Sequence, residues 1–129
     1  MIVVDSSVWI ALLRGEISRG VTVLRSLENT GEILVGDIVL LEILRGARDE
    51  AHAAAIEERI RQFAMVAMLS PALAVRAAWH YRELRKRGIT VRKTADLIIA
   101  AFCIEHGHLL LHQDRDFDPF AAHCGLQLA

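Results

Sequence analysis

Very short apolar runs alternate with helical stretches along this chain, and that alternation constrains its fold more than any other feature. Ile2-Val3-Val4 is β-branched and stops abruptly at Asp5-Ser6-Ser7, which reads as a buried strand followed by a helix start. Helical patterns over Val8 to Arg14 and Val21 to Asn29 precede a second strand-like run, Glu32 to Gly36. Helices are then expected over Ile38 to Gly46 and Glu50 to Phe63, followed by a third strand over Met65 to Leu69. Pro71 opens a long helix that runs to Arg87 before Gly88, and Thr94 to His106 forms another, ended by Gly107. His108 to His112 is strand-like, Phe117 to Cys124 helical, and Leu126 to Leu128 a last short strand. Strands this short and apolar, interleaved with helices, predict a parallel sheet covered on both faces. Ligands of such sheets bind beyond the carboxyl ends of the strands.

The 129 residues suit one compact domain spanning 1–129, and 53% hydrophobic content excludes a disordered chain. A net charge of -1 does not mark the chain as a nucleic-acid binder, but neither does it exclude one, since phosphate binding depends on local cations. Cys103 and Cys124 form no C-x-x-C pair and are expected as buried thiols in a reducing compartment. The start lacks the pattern of a signal peptide and no apolar run reaches membrane-spanning length, so a cytoplasmic protein without a membrane partner is expected.

Most acids, such as Glu28, Glu57, Glu58 and Glu83, fall on charged helix faces. Asp5, Glu42, Asp96 and Asp114 instead adjoin apolar segments. Asp5 ends an apolar strand, where it serves either as an N-cap or as a site residue; Ser6 and Ser7 could also cap. Glu42 lies within Ile38 to Leu44 and either pairs with Arg45 at the surface or points inward toward a cation. Asp96 falls in the first turn of an apolar helix for which Thr94 is the expected cap, so support of the helix dipole competes with a role in a site. Asp114, with Asp116 and Asp118 behind it, follows a strand; a plain Asp-rich turn is the alternative, and the EF-hand pattern is not met. Together, two acids follow strands and two lie on helices covering the same sheet. Converging carboxylates raise each other's pKa and are tolerated with cations, and hard oxygen ligands select Mg2+ or Mn2+. Phosphodiester hydrolysis is the chemistry that uses such a cluster.

Val3-Val4-Asp5-Ser6-Ser7-Val8-Trp9-Ile10, Leu41-Glu42-Ile43-Leu44-Arg45-Gly46, Thr94-Ala95-Asp96-Leu97-Ile98-Ile99-Ala100-Ala101 and His112-Gln113-Asp114-Arg115-Asp116-Phe117 occur in that order. Together they resemble the PIN-domain family, most closely the VapC-type toxins of bacterial toxin–antitoxin pairs, over nearly the whole chain. The resemblance implies a three-layer α/β/α sandwich on a central parallel sheet. It also implies Mg2+-dependent RNA cleavage, a homodimer, and inhibition by a cognate antitoxin. Carried over by motif, Asp5 and Asp96 are the principal metal ligands, and Glu42 and Asp114 complete the acidic pocket. Asp116 shares or replaces the metal or water contacts of Asp114, and Ser7 supports a ligand carboxylate. Arg92 and Lys93, just before Asp96, are expected to contact RNA phosphates, with dipole compensation at a helix end as the plainer reading.

A zinc site is not expected, because the histidines lack ligand spacing. Trp9, Trp79 and Tyr81 are read as core or interface residues. A structure-specific DNA nuclease and a non-catalytic nucleic-acid-binding module on the same fold are the competing readings.

Overall fold

A computed structural model describes all residues, 1–129. Four parallel strands form the sheet, β1 (Ile2–Val4), β2 (Ile33–Gly36), β3 (Ala64–Val66) and β4 (Leu109–Leu111), in the order β3-β2-β1-β4. Helices α1 (Ser6–Leu13) and α2 (Arg19–Leu27) connect β1 to β2, and α3 (Asp37–Leu44) and α4 (Glu50–Ile60) connect β2 to β3. Helices α5 (Pro71–Lys86) and α6 (Thr94–His106) carry the chain back across the sheet to β4. A 3-10 turn (Arg115–Phe117) and α7 (Asp118–His123) follow.

The strand order determines the layers. From β1 through β2 to β3 the chain moves in one direction, and from β3 to β4 it returns past β1. Right-handed crossovers therefore put α1 to α4 on one face and α5 and α6 on the other, the α/β/α sandwich expected. The direction reverses between β1 and β4, so the switch point of the sheet lies where Asp5 and the segment after Leu111 emerge. At that end the sheet pairing extends one residue beyond β1, because the Asp5 N–H donates to the Leu111 carbonyl at 2.9 Å.

The apolar patterns explain the core. Val3, Val4, Val35, Leu110 and Leu111 are buried from both faces, and in α6 the run Ile98 to Cys103 is buried almost throughout. Such a helix is covered on all sides, and Gly107 ends it in a left-handed conformation (φ 69) that a side chain would strain. Burying a single Leu- or Ile-sized side chain contributes roughly 1.5–3 kcal/mol, so the continuous cluster around the sheet dominates stability.

Several boundaries differ from the sequence reading. α1 begins at Ser6 rather than Val8 because Asp5 itself is the cap: its Oδ2 accepts the Ser7 N–H at 3.0 Å. Thr94 does not cap α6; it is the first helical residue, and Lys93 at the N-cap position makes no side-chain capping bond. β3 ends at Val66 because the Met68 N–H turns away to Asp37 Oδ1 at 3.0 Å. Leu126 to Leu128 reduces to a single bridge between Leu110 and Leu128. Cys103 is buried as expected, whereas Cys124 is only half-buried. Trp9 is core, stacked obliquely on Phe63 with centroids 5.3 Å apart, while Trp79 is 40% exposed beneath the Arg76 guanidinium.

Candidate active site

The switch point gathers carboxylates because two aspartates there divide their oxygens between folding and the site. Asp5 uses Oδ2 to cap α1, while its Oδ1 is buried and accepts no hydrogen bond. Asp114 repeats the arrangement after β4. Its Oδ1 accepts the Asp116 N–H at 2.9 Å, starting the 3-10 turn, and its Oδ2 accepts from Lys93 Nζ at 2.9 Å. Capping and site membership, competing readings in the sequence, are both true of these residues.

Asp96 enters from α6. It is 4% exposed, and its Oδ2 is buried without a hydrogen-bond donor. Carboxylate oxygens of Asp96, Asp114 and Asp116 lie within 4.8 Å of one another. Lys93 Nζ sits among them, 2.9 Å from Asp114 Oδ2, 3.3 Å from Asp116 Oδ2 and 3.8 Å from Asp96 Oδ2. Asp114 and Asp116 therefore contribute together.

Glu42 reaches the site from α3. Its Oε1 accepts from Ser6 Oγ at 3.1 Å, and its side chain is only 13% exposed. The pairing with Arg45 that the sequence allowed is long, 3.9 Å, and Arg45 is largely in solvent, so it contributes little. Ser6 is the residue the sequence reading missed: it sits beside Ser7, and only the turn of α1 decides which hydroxyl faces Glu42. Ser7 supports the site in two ways, donating its N–H to Asp5 and accepting the Gln113 N–H on its Oγ at 3.2 Å. It thereby ties the ends of β1 and β4 together.

The electrostatics show that these groups share one field. Burial pushes Asp96 up to about 7; Lys93 opposes the shift, and Asp5, Asp114 and Glu42 add to it. Burial also raises Asp5, against the hydrogen bonds from Ser7 and with the help of Asp114. Glu42 is raised by burial, opposed by Ser6 and reinforced by Asp5. Burial acts on Asp114 in the same direction, but the Asp116 N–H and Lys93 outweigh it and hold that carboxyl below its usual range.

Two buried carboxylate oxygens without donors, beside a lysine ammonium drawn among three aspartates, fit a divalent cation bound by hard oxygen ligands. Asp5, Asp96, Asp114 and Asp116 are the residues that would hold it. Of the two cations expected to meet RNA, Lys93 is engaged with these acids, while Arg92 is exposed nearby.

A parallel sheet whose switch point collects acids in this way suits metal-assisted cleavage of phosphate esters, the chemistry of a class that includes the nucleases. Residues 2–122 match the PIN domain, and the chain belongs to that family. It is 34% identical over 132 aligned positions to ribonuclease VapC11 of Mycobacterium tuberculosis, covering 100% of this chain and 98% of that protein. A VapC ribonuclease of Mycobacterium bovis matches with the same identity and coverage. Among solved structures, VapBC2 from Rickettsia felis, bound to a DNA fragment from its promoter, superposes with a TM-score of 0.79. The two are 17% identical, with 100% of this chain and 98% of that chain covered. The sarcin-ricin-loop-cleaving toxin VapC20 of Mycobacterium tuberculosis superposes at 0.69 with 21% identity, covering 95% of each chain. At these identities the superpositions establish the fold.

Proposed function

We propose that this chain is a Mg2+-dependent endoribonuclease, a single domain over 1–129, acting in the cytoplasm as the toxin of a type II toxin–antitoxin pair. The observation that carries the reading is the convergence of Asp5, Glu42, Asp96 and Asp114, with Asp116, at the switch point. The relatives at 34% identity are ribonucleases by name, and the superposed Rickettsia felis chain belongs to a VapBC pair, which supports both the substrate and a cognate antitoxin that neutralises activity. No helix is long and apolar enough to cross a membrane. A homodimer and an antitoxin would cover apolar side chains now in solvent, such as Ile17, Leu41 and Val75.

The chemistry that a bound Mg2+ or Mn2+ ion supplies is activation of water and neutralisation of charge on the scissile phosphate. Asp5 Oδ1 and Asp96 Oδ2, already buried without hydrogen-bond partners, would hold such an ion with no further desolvation of their own. Asp114 and Asp116 would exchange the Lys93 ammonium for it. Glu42 is held in one orientation by Ser6, and its raised pKa makes it a better proton acceptor than a solvated glutamate, which suits it to take the proton of the attacking water.

The test is cleavage of single-stranded RNA or tRNA with Mg2+, with EDTA, and by Asp5→Asn and Asp96→Asn. Cleavage that requires Mg2+ and falls at least ~100-fold in both variants is expected, the scale of losing a positioned acid–base or metal contribution. Undiminished cleavage by either variant refutes the mechanism. Cleavage of DNA alone establishes the DNA-nuclease reading, and nucleic-acid binding without cleavage establishes the non-catalytic module.

A further inference from the structure

A cavity of about 300 Å³ opens beside the acidic cluster, between the segment leading into α6 and the 3-10 turn after β4. Asp96 and Asp116 form its inner side, and no other cavity in the chain touches the cluster. Ile89, Val91 and Pro119, all half-buried, provide apolar wall, and Arg92 and Arg115 stand exposed at its rim.

These two arginines are unusual for their position. Lys93, between them and the acids, pairs with Asp96, Asp114 and Asp116. Neither the Arg92 nor the Arg115 guanidinium makes an ion pair, although Asp116 is the immediate neighbour of Arg115. An unpaired guanidinium offers a planar fork of donors that matches phosphate oxygens. Two of them flank a recess with an apolar wall and a volume at the lower end of the range for small-ligand sites.

We propose that this cavity is a nucleotide subsite adjoining the scissile bond, in which Arg92 and Arg115 hold a neighbouring, uncleaved phosphate of the RNA while Ile89, Val91 and Pro119 receive the sugar and base. The inference rests on the ribonuclease reading and deepens it. With the scissile phosphate over the carboxylates, the one cavity that adjoins them is the recess available to a neighbouring nucleotide, and that recess carries the arginines. Lys93 is held by the acids until a cation displaces it. Arg92 and Arg115, the latter a residue the sequence motif carries between two acids without an evident role, are free to anchor RNA whether or not the ion is bound.

The experiment compares the parent chain, Arg115→Ala, Arg92→Ala and Arg115→Lys on short single-stranded RNAs in which one linkage at a time is a neutral methylphosphonate at a fixed offset from the cut. Each alanine variant is expected to lower kcat/KM about tenfold, mainly through KM, with Arg115→Lys intermediate. The penalty should vanish when the neutral linkage occupies one particular offset. In parallel, binding of fluorescein-labelled RNA is followed by anisotropy in the Asp5→Asn background, where each alanine variant should reduce the salt slope by about 0.7. Melting temperatures equal to the parent's exclude misfolding, since both side chains are in solvent. Cleavage by the parent combined with unchanged KM and salt slope in the variants overturns the subsite and leaves the ribonuclease reading standing. A penalty equal at every offset also overturns it, because that is the signature of a diffuse field. Reduced salt slopes in the variants without cleavage by the parent support the arginine contact and overturn the ribonuclease reading instead.

Discussion

Asp96→Asn should make the metal-free protein more stable while abolishing its activity, and the size of the gain follows from the site. Burial raises the Asp96 carboxyl from 3.8 to about 7. A group whose folded pKa lies above its unfolded value binds more protons in the folded state, so stability falls as pH rises between the two and stays low above them. About three units at ~1.4 kcal/mol each sets a ceiling of ~4 kcal/mol on this penalty above pH 7. Asn carries no charge and escapes it; the attraction to Lys93 opposes the shift and is already deducted in the net value. Lys93 is half in solvent and a cavity adjoins Asp96, so water screens the charge and the realised penalty lies below that ceiling. The expected net gain is about 2–3 kcal/mol at pH 8, corresponding to a melting temperature roughly 5–10 °C higher for a chain of this size.

The assay is thermal melting of parent and variant in EDTA at pH 5, 6, 7 and 8. The gap should be small at the acid end and grow until about pH 7, where it levels off. Adding Mg2+ should raise the parent and leave the variant nearly unmoved, by about 2.7 kcal/mol when the ion is at a hundredfold excess over its Kd. A variant no more stable than the parent at pH 8 in EDTA, or a gap that does not change with pH, would refute the account of Asp96 as a buried carboxylate held at a cost.

Lys93→Met should tighten Mg2+ binding in calorimetry and lower the melting temperature in EDTA, because the ammonium offsets charge on three aspartates and competes for the same oxygens. Ser6→Ala should leave Glu42 without its donor, raise its pKa further and shift the acid limb of the pH–rate profile upward, with a modest loss of cleavage rate. Gly36→Ala should destabilise the fold by ~1–3 kcal/mol in urea titrations, since a Cβ there would collide with the Met68 side chain against the end of β2. Glu105→Gln should cost about 1–2 kcal/mol, because Glu105 accepts from Arg76 at 3.2 Å and from the buried His80 at 3.0 Å, joining α5 to α6. The His80 bond holds Glu105 below its usual pKa, so this difference should be full above the ordinary carboxylate range and be lost as the pH falls through the depressed pKa of the folded state.

The sequence made the layers and most of the site legible for one physical reason. Acids bordering wholly apolar segments are rare unless something uses them, and Asp5, Glu42, Asp96 and Asp114 each border such a segment. That criterion is incomplete, as Asp37 shows. It too follows a buried strand, Ile33–Gly36, yet its Oδ1 clamps the Ile38 and Met68 N–H groups at 2.8 and 3.0 Å, and its place is beside β3. What separates Asp37 from Asp5 is strand order, which a local pattern does not contain. Ser6 and the ammonium of Lys93 were hidden for a related reason, since each acts through contacts between segments distant in the chain.

The divided use of Asp5 and Asp114 decides how substitutions there must be interpreted. In each, one oxygen accepts a backbone N–H that starts the next element, and the other belongs to the site. An asparagine keeps an acceptor for the cap and removes the charge, so Asp5→Asn isolates chemistry. An alanine removes both, and the lost cap alone costs ~0.5–2 kcal/mol. Inactivity of an alanine variant would therefore leave open whether the carboxylate or the start of α1 was lost, whereas inactivity of a stable asparagine variant assigns the loss to the carboxylate. The same reasoning explains how strongly charged residues persist at the end of an apolar strand. Capping anchors them in place, and that anchoring presents the second oxygen, desolvated in Asp5 and paired with Lys93 in Asp114, to whatever cation the site holds.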